Sequence, residues 1–145
     1  MKEEGKLRSI GITEGFLTDP DHTMLRAAVL DAIVDTIMVG FNASNPSAAN
    51  SVLPEAKDAG LGTIGMFALR GLSGWSASEG VRELLRDAGI TSLADFAYRY
   101  SRHQPGMDVF LTGTGDSEHL KQNVVSAMAP PIPAVVLERL SQSGG

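Results

Sequence analysis

Apolar residues follow two alternating patterns along the chain: short continuous runs, and stretches in which they recur every three or four positions. A short run rich in β-branched residues predicts a strand, and recurrence every three or four positions predicts an amphipathic helix. Four strands are predicted in this way, at residues 9–13, 36–41, 63–69 and 107–111. The second run, TIMVGF, is almost wholly apolar, which is typical of a strand covered on both faces.

Helices are predicted between these strands and after the last one. The segments 19–21 and 45–47 carry Asp, Asn, Ser and Pro residues that can open the first two helices, and the second helix would stop at Gly60. A glycine-containing loop at 70–76 precedes two helices, and TGTGDS at 112–117 precedes another, with a final helix from about Ala134. The apolar positions of these helices are Leu25, Ala28, Val29 and Ile33; Val52, Leu53 and Ala56; Val81, Leu84, Leu85 and Ala88, ending at Gly89; Leu93, Phe96, Ala97 and Tyr100; and Leu120, Val124, Val125 and Met128.

Strands that alternate with helices predict parallel βαβ units joined by right-handed crossovers. The fold class is therefore α/β, and residues 1–145 are predicted to form a single domain. The periodicity fits a parallel (βα)4 half of a TIM-type barrel and equally a small open sheet. In both architectures, binding sites lie at the carboxyl ends of the strands, where the βα loops gather.

Composition removes several classes of function. The formal charge of −5, with acids and bases interspersed, argues against a nucleic-acid partner. No cysteine is present and the three histidines do not pair at helical spacing, so neither a disulfide framework nor a metal site is predicted. The charged first eight residues lack an apolar run, and Asp31 and Asp35 interrupt the most hydrophobic stretch. We therefore expect a soluble cytoplasmic protein with no signal peptide and no membrane span.

Four segments, in order, resemble the aldo/keto reductases. They are GKLRSIGIT at 5–13, DTIMVGFN at 35–42, LPEAKDAGLGTIGMFALRG at 53–71 and VFLTGTGDSEHLKQN at 109–123. These are similar to the lead into the family's fifth strand, its sixth strand, the stretch from the sixth helix through the seventh strand, and the eighth strand with the adenine-side helix. The resemblance implies that the chain corresponds to the C-terminal half, the fifth to eighth β/α units, of that family's TIM-type barrel.

The resemblance also implies what this half lacks. The family's catalytic Asp, Tyr, Lys and His come from the second, third and fourth strands, which have no counterpart here. Tyr98 and Tyr100 fall in a predicted helix, where a core or surface role is favoured over that of a general acid. No catalytic residue is predicted, and the chain is expected to be inactive alone.

A dinucleotide surface, for NADP by the resemblance, could remain because the family's loops after the seventh and eighth strands hold that cofactor. Gly113 and Gly115 would let backbone amides approach a phosphate, and Arg70 could add a bidentate contact, with Gly71 and Gly74 keeping its loop open. The alternative is that these glycines only form tight turns. The predicted cofactor-binding residues are Thr13, Glu14, Leu69, Arg70, Gly71, Thr112, Gly113, Thr114, Gly115, His119, Gln122 and Asn123.

Departures from the better-known family pattern weaken the case for nicotinamide binding. Asp116 also opposes a phosphate unless its carboxylate caps the following helix. The departures are Thr13 and Glu14 in place of Ser-Asn, Met38 in place of a glutamine, Met66 near a stacking tyrosine, His119 in place of an arginine and Gln122 in place of an acid.

Three further polar residues have to be interpreted. Glu14 follows a predicted strand, where a carboxylate can act as a general base, but an exposed and solvated loop acid is the favoured interpretation. His22 and His103 are predicted to lie in polar loops at the surface.

Half of a closed sheet has two open edges and an apolar inner face. Twofold pairing with a second copy would cover both, so a homodimer or larger assembly is predicted. Three functions stay open: an oxidoreductase that needs the missing half, a non-catalytic assembly module with a vestigial dinucleotide surface, and a half-barrel scaffold without a ligand. For this chain by itself the second and third are favoured.

Overall fold

One parallel sheet organises the part of the chain that the structure describes, residues 1–73, 75 and 79–143 of a computed structural model. The strands are hydrogen-bonded in chain order, and all three pairings are parallel. This confirms the predicted α/β class and the four-stranded parallel sheet. The strands are β1 (Gly11–Thr13), β2 (Thr36–Gly40), β3 (Gly62–Met66) and β4 (Val109–Phe110).

Helices connect the strands and complete the chain. A single 3₁₀ turn, Ser47–Asn50, lies near the end of the loop after β2, just before α2 starts. Gly60 and Gly89 follow the second and third helices with φ of 70° and 68°, the left-handed conformation that ends helices, as predicted. The helices are α1 (Thr23–Leu30), α2 (Val52–Asp58), α3 (Glu79–Asp87), α4 (Leu93–Arg102), α5 (Ser117–Met128) and α6 (Ala134–Ser143).

Two predicted boundaries are wrong for a local backbone reason. The third strand ends at Met66 rather than Leu69, because Phe67 takes a φ of 68° that no strand can contain. Ile33 does not belong to the first helix: α1 ends at Leu30, Ala32 has a φ of 52°, and the Ile33 side chain is exposed.

The helices pack on one face of the sheet, where alternate strand residues point. Ile37 and Val39 of β2 are fully buried there together with Leu25 of α1 and Leu53 of α2. Burying each such side chain contributes about 1.5–3 kcal/mol to folding. A second apolar cluster lies beneath α3, α4 and α6, and Tyr100 contacts both clusters.

Tyr98 and Tyr100 have the structural roles that the sequence favoured. Tyr100 stacks on Phe41 with ring centroids 5.5 Å apart, and the Phe96 ring centroid lies 5.7 Å from that of Tyr100. Burial raises the pKa of the Tyr100 hydroxyl above its usual value of 10. Tyr98 is buried as well, with its hydroxyl hydrogen-bonded inside the protein.

The opposite face of the sheet is open. Met38, Ile64 and Val109 are aligned across β2, β3 and β4, and all three are partly or largely exposed. In a closed barrel this face would be the packed interior. Both sheet edges are open too, because β1 and β4 each pair with one neighbour only among the described residues.

The apolar side of α5 is also exposed, although the helix itself was predicted correctly. Its buried residues are Asn123 and Ser126, so the helix presents polar groups to the protein and apolar groups to solvent. Val124 lines a groove beside β4, the open edge of the sheet. The exposed residues are Leu120, Val124, Val125 and Met128.

The described helices are all short. None of them is long and apolar enough to cross a lipid bilayer.

Candidate functional site

The loops that leave the carboxyl ends of the strands contain both the predicted cofactor residues and a polar cluster that the sequence did not predict. Within the described ranges, no three His, Asp or Glu side chains converge as metal ligands would. The site is therefore built from hydrogen bonds, ion pairs and aromatic contacts.

Glu14 extends the pairing of β1 with β2 through both its backbone and its side chain. Its backbone N–H donates to the Met38 carbonyl at 3.2 Å, and one carboxylate oxygen accepts the N–H of Gly40. The other oxygen lies 2.6 Å from Nδ1 of His22. Glu14 is therefore buried, and the prediction of a solvated loop acid is wrong because the strand backbone itself binds the carboxylate.

His22 is fully buried between Glu14 and Ser47, so its predicted surface position is also wrong. Its backbone is left-handed, with φ 58° and ψ 28°, a conformation that costs roughly 1–3 kcal/mol in a non-glycine residue. The ring contacts on both nitrogens offset that cost, since Nε2 lies 2.9 Å from the Ser47 hydroxyl. His103, by contrast, is exposed as predicted, with a ring nitrogen 2.8 Å from the Ala129 carbonyl.

Asp19, which was predicted to open the first helix, holds the start of α1. Its two carboxylate oxygens accept the N–H groups of Thr23 and Met24 at 2.9 and 2.8 Å. These backbone hydrogen bonds, with the one from Met24 the larger, lower the pKa of the Asp19 carboxyl. Since Asp19 caps the helix, the His22 side chain is free to turn inward.

Glu14, His22 and Ser47, which we call the buried relay, have the residue types of a nucleophilic triad. Their geometry does not fit that role. The Ser47 hydroxyl lies 2.5 Å from Oδ1 of Asn45 and 3.2 Å from the Pro20 carbonyl, so its hydrogen is directed away from His22. The relay therefore connects the β1–α1 loop to the connection after β2 rather than activating a nucleophile.

An aromatic pair covers the carboxyl end of the open sheet face. The ring of Phe16 rests directly on Gly40, where an added Cβ would come within 2.0 Å of it. The ring centroids of Phe16 and Phe67 lie 5.5 Å apart, and the Arg70 guanidinium lies 5.3 Å from the centre of the Phe67 ring. The Asn42 side-chain amide donates to the Phe67 carbonyl at 3.1 Å, which holds the left-handed Phe67 in place.

The predicted cofactor residues after β3 are accessible. Leu69 and Arg70 are exposed, and Gly71 has a φ of 78° that a side chain would rarely adopt. Ser44 donates to the Gly71 carbonyl at 3.0 Å, which connects this loop to the one after β2. Gly74, expected to keep the loop open, lies outside the described residues.

The glycine loop after β4, residues 112–116, is exposed, and nothing lies within 4 Å of a Cβ added at Gly113 or Gly115. Asp116 caps α5: one carboxylate oxygen accepts the N–H groups of Glu118 and His119 at 2.8 and 3.3 Å. These backbone bonds, with that from Glu118 the larger, lower the pKa of the Asp116 carboxyl. The helix end thus already holds a carboxylate.

Asn123 faces the protein interior rather than the glycine loop's open side. Its amide nitrogen donates to the Thr112 hydroxyl at 2.7 Å and lies 3.4 Å from the Tyr98 hydroxyl, which is 2.8 Å from Thr112. Gln122 is exposed beside it and lines a cleft of about 860 Å³ between α4 and α5. Of the predicted residues on α5, His119 and Gln122 are therefore accessible and Asn123 is not.

The predicted cofactor-binding residues do not form one continuous site in the structure. Thr13 is exposed with its hydroxyl 3.7 Å from the Met38 sulfur, and Glu14 is in the buried relay. The residues from 69–71 and 112–123 lie on the loops after β3 and β4. Sequence reasoning missed Ser47, Phe16 and Phe67 altogether; the one local signal was a carboxylate, a histidine and two phenylalanines close to strand ends.

Comparison with known proteins identifies the architecture as about half of an aldo-keto reductase barrel. The chain is similar to the aldo-keto reductase AKR11C1 from Bacillus halodurans in its apo form, with a TM-score of 0.67 and 15% identity over 97% of this chain and 52% of that chain. The holo form matches with the same TM-score and identity over 97% and 51%. No protein-family model and no curated protein matches the sequence.

The chain thus spans about half the length of the reductase structures that it matches. The predicted resemblance to this fold over half of a reductase chain is confirmed. At 15% identity, the similarity establishes the fold and leaves the activity open.

Proposed function

We propose that the chain is a half-barrel of aldo/keto reductase descent, equivalent to the fifth to eighth β/α units, that acts as a non-catalytic assembly module. Its large exposed surface carries this proposal. A monomeric protein of 15.3 kDa exposes about 7,100 Å². This chain exposes 8577 Å², an excess of about 1,400 Å² over that expectation. A stable interface needs about 800 Å² from each partner, so the excess is enough for one.

The open elements support a second copy as the partner. β1 and β4 are edge strands of one parallel sheet, so a twofold axis through the barrel centre would place β4 of each copy beside β1 of the other. The same operation would bring the exposed apolar side of α5 against α1, which exposes Met24 and Leu30. The open face of the sheet would become the interior of a closed barrel.

Size-exclusion chromatography with light scattering tests the assembly. We expect a dimer at micromolar concentration, and Val125→Glu in α5 should convert it to a monomer because it places a charge in the apolar contact. Val135→Glu, on the exposed side of α6, is the matched control and should leave the dimer intact. A wild-type protein that elutes as a monomer would refute the assembly proposal.

Absence of reductase chemistry in this chain is the second part of the proposal. It is supported by the lack of counterparts to the family's catalytic strands and by the engagement of Tyr98 with Thr112 and Asn123. The assay is carbonyl-dependent oxidation of NADPH, for which we expect no rate above background. Turnover by the purified chain would show that it is an enzyme.

A dinucleotide surface is the second candidate function, and the exposed Arg70 favours it. Arg70 and the glycine loop follow the adjacent strands β3 and β4, so both lie at the carboxyl end of the sheet. NADPH binding measured by calorimetry, compared with Arg70→Ala, tests this candidate. Binding that Arg70→Ala weakens supports it, and no heat of binding at millimolar NADPH contradicts it.

A further inference from the structure

We propose that Glu14 and His22 form a buried ion pair, with hydrogen on both ring nitrogens of His22, and that this pair acts as a latch on the loop that precedes α1. The latch holds the β1–α1 loop, residues 14–22, against the carboxyl ends of β1 and β2. It is independent of the proposed assembly and of any cofactor.

Counting hydrogens around the Ser47 hydroxyl assigns the first ring proton. The Ser47 oxygen has three neighbours: Oδ1 of Asn45, the Pro20 carbonyl and Nε2 of His22. The Asn45 atom must be the amide oxygen, because it also accepts the Ser47 N–H at 3.2 Å. A hydroxyl has one hydrogen, and two of its neighbours can only accept. Nε2 must therefore donate to the hydroxyl oxygen.

The contact with Glu14 assigns the second ring proton. Nδ1 lies 2.6 Å from a carboxylate oxygen, and hydrogen bonds between charged groups are shorter than neutral ones. The Gly40 N–H donates to the other oxygen of the same group, which favours the charged carboxylate and so places the shared hydrogen on the ring.

Few other charges face this pair. In the same loop, Asp19 is engaged by the amides that begin α1, and Asp21 is exposed. Arg26 of α1 and Glu55 of α2 bind each other at the surface, 2.6 Å apart. β2 and the 3₁₀ turn contribute only the uncharged Gly40 N–H and the Ser47 hydroxyl. Among these charged groups, Asp19 interacts electrostatically with His22, but more weakly than with the amides of Thr23 and Met24. Glu14 is therefore the one acid among the described residues that is hydrogen-bonded to the His22 ring.

Removing either partner leaves a single buried charge, which is strongly unfavourable. The loop is then no longer held at the carboxyl ends of β1 and β2. Release of the loop would lift Phe16 from Gly40 and uncover the carboxyl end of the open sheet face.

Nitrogen-15 spectra of the histidine rings test the assignment on the full chain. At pH 7.5, where a free imidazole is about nine-tenths neutral, we expect protonated signals from both His22 nitrogens, protected from exchange with solvent. The exposed His119 provides the comparison in the same spectrum. A single protonated nitrogen on His22 at this pH would overturn the proposal.

Amide hydrogen exchange of residues 15–21 tests the latch. We expect Glu14→Gln and His22→Gln to speed exchange in this loop by about tenfold or more, because each change removes the partner of a buried charge. His103→Gln is the matched control, an exposed histidine with one backbone contact, and should leave the loop unchanged. If a variant does not fold, Ser47→Ala, which removes only the partner of Nε2, replaces it. Loop exchange at the wild-type rate in the folded variants would refute the latch.

Discussion

Polar residues are buried near β1 and β2 at one side of the sheet and exposed in the loop between β4 and α5 at the other. At the β1–β2 end, Glu14 and His22 are buried and hydrogen-bonded to each other, and the Phe16 ring rests on the neighbouring Gly40. At the β4–α5 end, the glycine loop is exposed and its one acid, Asp116, is used in capping α5. The β4–α5 end, where cofactor contacts were predicted, is thus the more exposed of the two. The β1–β2 end, where Glu14 and His22 were predicted to be solvated, contains the buried polar network.

The contrast indicates which part of the half-barrel contributes more to its stability. A buried network fails if one member is removed, whereas an exposed loop tolerates substitution because water replaces lost contacts. Each prediction below pairs a change at one end with a matched change elsewhere.

The largest expected effect comes from Glu14→Ala. The change leaves the His22 imidazolium buried without its partner, and it should lower the free energy of unfolding by about 3–5 kcal/mol. Urea unfolding at pH 7 measures the loss. Glu138→Ala, an exposed acid in α6, is the control and should have little effect. Equal stabilities of the two variants would mean that Glu14 stabilises the fold no more than an exposed acid does.

Gly40→Ala should have the next largest effect. The new methyl group would meet the Phe16 ring, and displacing that ring costs about 1–3 kcal/mol. Gly113→Ala in the glycine loop meets nothing within 4 Å and should change stability by less than about 0.5 kcal/mol. Thermal unfolding of the two alanine variants gives the comparison directly. A larger loss for Gly113→Ala would reverse the contrast.

Asn123→Ala sharpens the comparison within the β4–α5 end. Asn123 is the buried donor to Thr112 and approaches Tyr98, so the change should cost about 1–2 kcal/mol in stability. Its exposed neighbour is the control: Gln122→Ala should be nearly neutral. If both variants have wild-type urea midpoints, then Asn123 does not hold α5 in place.

The smallest effects concern the acids that cap α1 and α5. Hydrogen bonds from backbone amides lower the pKa of both Asp19 and Asp116 in the folded protein. Their carboxylates therefore stabilise the fold above the pKa of the unfolded chain, and this contribution is lost as pH falls through the lowered value. Asp19→Asn and Asp116→Asn should each be slightly less stable at pH 7 and lose less on acidification. Unfolding midpoints between pH 7 and 3 would contradict this if the variants parallel the wild type.

Much of the architecture could be predicted from local pattern. The β2 run and the helical spacing at Val81, Leu84 and Leu85 depend on neighbours within four residues, so the element order came out correctly. The end of β3 was predicted wrongly, because Asn42, which lies 25 residues earlier, holds the left-handed backbone of Phe67 in place. Local preference cannot predict a backbone conformation that a distant side chain stabilises.

The candidate site was predictable only in part. Arg70 and the glycines of the β4–α5 loop are exposed on loops, as their residue types suggest. Asn123 resembles a ligand contact by position, yet it is turned inward by Thr112 and Tyr98. Exposure of a polar residue depends on which other elements reach it.

From the sequence alone, short-range periodicity predicts the alternation of strands and helices, composition excludes cysteine chemistry, and four segments resemble half of a reductase barrel. The burial of Glu14 against His22 and the outward orientation of the apolar side of α5 arise in the tertiary structure. The first depends on Gly40 and Ser47, 26 and 25 positions from the residues that they contact, and the second on a sheet edge that no other described strand pairs with.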